Sequence, residues 1–152
     1  MRVSAKIDYA LRALAELAAA EPGVPIKGGA LARAQGIPVR FLENILAELR
    51  ASGIVASRRG AEGGYWLARP SGEVAIAEVI RVLEGPLANV QGVRPDEVSF
   101  DGPAATLREV WVATRAGMRS VLDAVTLADV ASGKLPVNVR RMLAHPDAWD
   151  AR

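Results

Sequence analysis

The chain contains no cysteine and one histidine, His145. Disulfide frameworks, thiolate-held iron–sulfur clusters and zinc sites built on cysteine pairs are excluded because their ligands are missing. His145 stands beside Pro146 in the tail, so a Ser-His-Asp relay or a histidine-metal centre would rest on that single position. Long apolar runs are lacking too, and nothing approaches the roughly 18 residues of a membrane span. Arg2 and Lys6 lead into an alanine-rich stretch interrupted by Asp8, Arg12 and Glu16, unlike the apolar heart of a secretion signal. Gly60, Gly63 and Gly64 have the spacing of a loose phosphate cradle, but no Gly-Lys-Ser/Thr follows and the stretch lies in a hairpin rather than ahead of a helix. These absences predict a soluble cytoplasmic protein that is not an enzyme and carries no metal or cofactor.

What is present is a chain of 152 residues, 51% hydrophobic, enough for one core and too short for two large independent domains. The net charge of +2 is unevenly placed. Residues 1–70 hold ten Lys/Arg against six Asp/Glu, a balance of +4, whereas residues 71–152 hold nine against eleven, a balance of −2. A cationic first half suits a polyanionic partner.

Periodicity locates the elements. Ile7, Ala10, Leu11, Leu14, Leu17 and Ala18 recur at helical spacing between Ser4, a capping residue, and Pro22-Gly23, which ends the helix. A weaker helix is expected over 27–35, because Gly28 and Gly29 reduce helix propensity at its start. From Pro38 to Ala51, Leu42, Ile45, Leu46 and Leu49 form an apolar stripe, and Arg40, Glu43, Asn44, Ala47 and Arg50 occupy the opposite face. Strand-like runs at 54–57 and 65–68 flank the glycine-rich segment from Arg58 to Gly64. A helix carrying Ile76, Val79, Ile80 and Leu83 follows, then an aperiodic loop with Asp96, Glu97 and Asp101. A long helix is predicted over 104–126, with Leu107, Val110, Trp111, Thr114, Met118, Val121, Leu122 and Val125 nearly in heptad register as a dimer face. The tail reads as partly helical and broken by Pro136 and Pro146.

The fold class is therefore mainly α with a small β-hairpin. Three segments are expected: a winged helix-turn-helix domain over 1–84, a loop over 85–103, and a dimerisation helix with a C-terminal tail over 104–152. The helix-turn-helix rests on a spacing: Ala32, three residues, Gly36, five residues, Leu42. A small residue lets the helices approach, glycine accepts the turn and a later apolar residue buries the second helix. An ordinary helical hairpin satisfies the same spacing. The basic hairpin that follows favours the winged arrangement over a solvated hairpin with two incidental arginines, because a second helix in the major groove and a wing on the backbone or minor groove would place Arg58 and Arg59 at phosphates.

Several segments resemble the Rrf2 family of transcription regulators: Met1 to Lys6, Tyr9 to Leu14, Gln35-Gly36-Ile37-Pro38, Phe41-Leu42-Glu43, and above all Arg59-Gly60-Ala61-Glu62-Gly63-Gly64-Tyr65-Trp66-Leu67-Ala68-Arg69-Pro70. Leu83-Glu84-Gly85-Pro86-Leu87 and Val125-Thr126-Leu127-Ala128-Asp129 extend the likeness to about residue 130. The resemblance implies a homodimer whose long helices cross, binding a pseudo-palindromic double-stranded DNA operator and usually repressing. It puts base-contacting roles on Arg40, Glu43 and Asn44 and the wing arginine on Arg59; the cations Arg58, Arg2 and Lys6 are added to the expected DNA-binding set by their charge. Arg40 suits guanine O6 and N7, Asn44 adenine N6 and N7, and Glu43 cytosine N4. An intrahelical or solvent-facing pair of Arg40 with Glu43 is the competing reading.

The chain departs from this pattern in its sensor. Many relatives hold an iron–sulfur cluster through three cysteines in the loop before the long helix, and the lone carboxylate Asp8 cannot replace them. Asp8 is expected instead to be a solvated first-turn acid. Asp96, Glu97 and Asp101 are read as exposed loop acids rather than a cation site, and Trp111 and Met118 as dimer core rather than a ligand pocket. The Lys27-Gly28-Gly29 start of the first motif helix also departs from the family, and Trp149 is left either packed on the partner or exposed. An effector, small molecule or protein, stays unassigned. The rival function is a winged-helix protein-interaction module without DNA binding.

Overall fold

The structure, a computed structural model, describes residues 2–150. Helix α1 spans Ala5–Ala19 and is capped by Ser4, whose hydroxyl accepts from the Ile7 amide at 3.2 Å. It buries Ile7, Ala10, Leu14 and Leu17 of the predicted stripe together with Ala13, while Leu11 and Ala18 at the stripe's edge are only partly buried. Helix α2, Gly28–Gln35, and helix α3, Val39–Ala51, pack beneath it. Gly36 between them sits in the left-handed region at φ 62°, and its amide returns to the Ala32 and Arg33 carbonyls. Pro38 occupies the N-cap of α3 rather than the first helical position.

Strands β1, Val55–Arg58, and β2, Gly64–Leu67, form an antiparallel hairpin with Val55 opposite Leu67 and Arg58 opposite Gly64. Helix α4 follows at Ile76–Glu84, and its apolar residues close the core over α1 and α3. The long helix α5 is shorter than its heptad pattern suggests, Leu107–Leu122. A 3-10 turn over Gly102–Ala104 precedes it.

After α5 the chain turns back to the core. Ile76 donates to the Val125 carbonyl at 2.9 Å, and Leu127 donates to the Val74 carbonyl at 3.0 Å. Thr126 then caps α6, Leu127–Ser132, in a capping box with Asp129. This corrects the predicted dimer face at its end. Val125 is only 6% exposed within its own protomer, and Val121 and Leu122 pack partly against the same core. Helix α6 lies on α1, and α7, Val137–Leu143, adds Val139. One buried cluster therefore runs from Ile7 to Val139 and joins residues of the first and last predicted segments. The tail is interrupted at both prolines as expected, Pro136 standing at the N-cap of α7 and Pro146 opening a 3-10 turn.

The loop between α4 and α5 is pinned by Asp96. Arg94 donates to its carboxylate at 2.7 and 3.3 Å, Arg115 of α5 donates to it as well, and Arg108 bonds its backbone carbonyl at 3.0 Å. The Arg115 hydrogen bond is the main reason its carboxyl titrates at about 2, below an ordinary 3.8, although desolvation opposes the shift.

Two outcomes follow from this packing. Leu42→Ala, at a fully buried position, is expected to lower unfolding free energy by about 2–5 kcal/mol in urea titration; an unchanged midpoint would contradict the packing described. Because the Asp96 pKa is depressed in the folded state, its contribution exists above the unfolded value of 3.8 and disappears as pH falls towards about 2. Wild type should therefore be more stable than Asp96→Asn near neutral pH, and the gap should close in strong acid.

Candidate nucleic-acid interface

Burial of Leu42, Ile45, Leu46 and Leu49 fixes which side of α3 meets water. Arg40, Glu43 and Asn44 lie together on the opposite, exposed side, one to the next at helical spacing. None of their side chains bonds to another described residue, so the expected alternative, an Arg40–Glu43 pair, does not form. Arg50 of the same helix is committed elsewhere, donating to Ser57 of β1 at 3.1 Å. Phe41 meets Tyr9 of α1 edge to face, with centroids 5.6 Å apart, and Arg12 lies 5.1 Å over the Tyr9 ring. These contacts hold the first turn of α3 against α1.

The hairpin is not a free flap. Ile26 and Tyr65 exchange two backbone hydrogen bonds of 2.9 and 2.8 Å, giving β2 a second edge partner just ahead of α2. The ammonium of Lys27 donates to the Gly60 carbonyl at the wing tip. Glycine is required by close approach at two places: a Cβ on Gly64 would lie 2.6 Å from the Ile26 backbone, and one on Gly63 would lie 2.1 Å from the Arg58 carbonyl oxygen. Gly28 faces the Tyr65 ring, which would stand 3.3 Å from an added Cβ. The two glycines at the head of α2 are thus partly explained by the ring packed on Gly28.

At the tip, Arg58 turns back and donates to the Glu62 carbonyl at 3.0 Å, so it braces the wing. Arg59 is exposed, and its side chain has no partner among the described residues. Arg2 is likewise exposed and unpaired. Lys6 departs from its expected role at phosphate: it bridges to Glu48 of α3 at 2.8 Å and to the Leu83 carbonyl of α4 at 3.1 Å. Its donors tie three helices together. Asp8 pairs with Arg12 one turn on, at 3.3 Å, as a surface acid. Arg33, in the last turn of α2, is an exposed unpaired cation beside the motif that pattern reading did not single out.

A buried helix-turn-helix, an exposed polar face on its second helix and an anchored basic wing define a winged helix-turn-helix regulator. The Rrf2 family profile, described as "Iron-dependent Transcriptional regulator", matches residues 3–133, and the chain belongs to this family. It is 51% identical over 142 residues to the "Putative HTH-type transcriptional regulator Rv1287" of Mycobacterium tuberculosis, covering 93% of this chain and 88% of that one. Among solved structures it resembles CymR of Bacillus subtilis, described as "the Global Cysteine Regulator", at TM-score 0.75 and 35% identity over 88% of this chain and 98% of that chain. IscR of T. potens aligns at TM-score 0.71 and 34% identity, covering 88% of each.

The iron in the family description does not fit the donors here. The chain has no thiolate, and among the described residues no group of three His, Cys, Asp or Glu side chains is placed to hold a metal. Asp96 is instead satisfied by arginines.

The anchoring of the wing has a direct test. Gly64→Ala must force β2 away from Ile26, and strain of about 1–3 kcal/mol is expected in urea unfolding, with altered Trp66 fluorescence. A variant as stable as wild type would show that the close approach is not required.

Proposed function

We propose that the chain works as a homodimer that reads a pseudo-palindromic operator and represses transcription from it, in the cytoplasm. The observation that carries the dimer is α5. This 16-residue helix has no buried residue, while Leu107, Val110 and Trp111 remain 40, 46 and 38% exposed. Such a face is unusual on a monomer, and pairing with its twin would cover it. Thr114 suits this face because its hydroxyl is satisfied by the Val110 carbonyl at 2.9 Å. Half-buried Met118 continues it one turn beyond Thr114, and Gly117 beside it offers no side chain to a partner helix. Leu122 and Val125 belong to the protomer's own core instead.

In this reading α3 enters the major groove. Arg40 forks onto guanine, Asn44 onto adenine, and Glu43 accepts from cytosine, while Arg59 and Arg2 meet phosphate or the narrow minor groove. Residues 1–84 serve as the DNA-binding unit, 85–103 as the connecting loop, and 104–152 as the dimer helix with its tail. Their separate roles do not require separate cores.

Binding of duplex DNA should fall steeply with salt, because each neutralised phosphate releases counterions. Arg59→Ala should weaken binding to all sequences and reduce the salt slope by about 1, whereas Asn44→Ala should cost about 1–3 kcal/mol at one base pair and relax specificity there. Trp111→Glu should yield monomers by light scattering and lose operator binding. Salt-independent affinity, or none for duplex DNA, would favour a winged-helix protein-interaction module.

A further inference from the structure

Between the end of α4, the loop that follows and α5 lies a cavity of about 560 Å³, within the size range of small-molecule sites. Its polar lining is dominated by guanidinium groups: Arg81 from α4, Arg94 from the loop, and Arg115 and Arg119 one turn apart on α5. Pro86, Leu87 and Ala88 form an apolar wall. The arginines stand in two sets. Asp123 accepts from Arg81 at 2.8 Å and Arg119 at 3.0 Å, and Asp96 accepts from Arg94 and Arg115. Glu97 lies 3.6 Å from Arg94, and Arg108 donates to the Asp96 carbonyl.

Five arginines thus gather near three carboxylates, an excess of two positive charges. A network serving only to join loop and helix has no need of that excess, which raises self-repulsion. Both aspartates stay ionised at neutral pH. Burial pushes Asp123 upward, but the hydrogen bonds from Arg119 and Arg81 bring it below its ordinary value, and those from Arg115 and Arg94 lower Asp96. Each guanidinium has five N–H donors, and the carboxylates occupy only some of them. Arg94 and Arg119 keep 60 and 58% of their side chains exposed, so their remaining donors are accessible from solvent.

We propose that this cavity binds a small organic dianion, a dicarboxylate or a phosphomonoester, between the Arg81/Arg119 and Arg94/Arg115 sets, with its carbon skeleton against Pro86, Leu87 and Ala88. The two anionic chemistries share what the site recognises: paired oxygens that accept charge-assisted bonds from forked guanidinium groups. Bound there, the ligand joins the winged unit to α5. Arg81 belongs to the helix whose Leu83 carbonyl is linked through Lys6 to Glu48 of α3. A change of operator affinity on binding rests on the operator reading above; binding of the dianion itself does not.

Calorimetry on the full chain without DNA, at low salt, separates the two. Succinate and glycerol phosphate are the dianionic probes, inorganic phosphate tests the bare headgroup, and acetate is the monoanion control. At least one organic dianion should bind ten or more times more tightly than acetate. Succinate alone would assign the dicarboxylate and glycerol phosphate alone the phosphomonoester. Arg94→Gln with Arg119→Gln removes two solvent-exposed ion pairs and no core contact, and should weaken binding at least tenfold with only a small fall in melting temperature. Inorganic phosphate binding as tightly as both organic probes, no dianion exceeding acetate, or undiminished binding by the double variant would each overturn the proposal.

Discussion

The close approach of β2 to the backbone at Ile26 is the constraint on which the interface depends. Two reciprocal hydrogen bonds between Ile26 and Tyr65 attach the wing to the head of α2. They form only because Gly64 presents no Cβ to the Ile26 backbone. A two-stranded hairpin alone is marginal in water, so an additional edge contact and the Tyr65 ring over Gly28 provide what the hairpin lacks. Lys27 then ties the tip by its Gly60 carbonyl. Wing and helix pair are therefore positioned by one set of local contacts.

The helix pair was legible in the sequence because its determinants are local. The period of Leu42, Ile45, Leu46 and Leu49 assigns one face to the core and leaves Arg40, Glu43 and Asn44 outside. Gly36 marks the turn by its own conformation. The contacts that position the wing are long-range and invisible to periodicity. Gly28 read as a weak helix start because its partner, Tyr65, lies 37 positions further along the chain. Lys6 and Arg58 were grouped with the DNA-facing cations by charge, yet both spend donors on the fold, a distinction that only three-dimensional neighbours supply.

The end of α5 failed for another physical reason. Val121 and Leu122 close the helix and Val125 continues their apolar register past its end, and burial in the core produces the same spacing as burial in a dimer. The capping box of Thr126 and Asp129 marks the true start of the next helix. Once Val125 is assigned inward, the exposed apolar stripe narrows to Leu107, Val110 and Trp111, with the arginine-bearing side of α5 turned towards the loop. The helix thus presents one exposed apolar face and one cationic face turned to its own protomer.

The central claim is that two copies of this chain present α3 and the wing to DNA as a symmetric pair. Base-resolution mapping of the DNA bound by the protein in cells tests it most directly. The account predicts one enriched sequence with dyad symmetry, its half-sites separated by about one helical turn, roughly 10 base pairs, or a multiple of it. Bound sites that share no sequence, or a motif with no dyad, would contradict it.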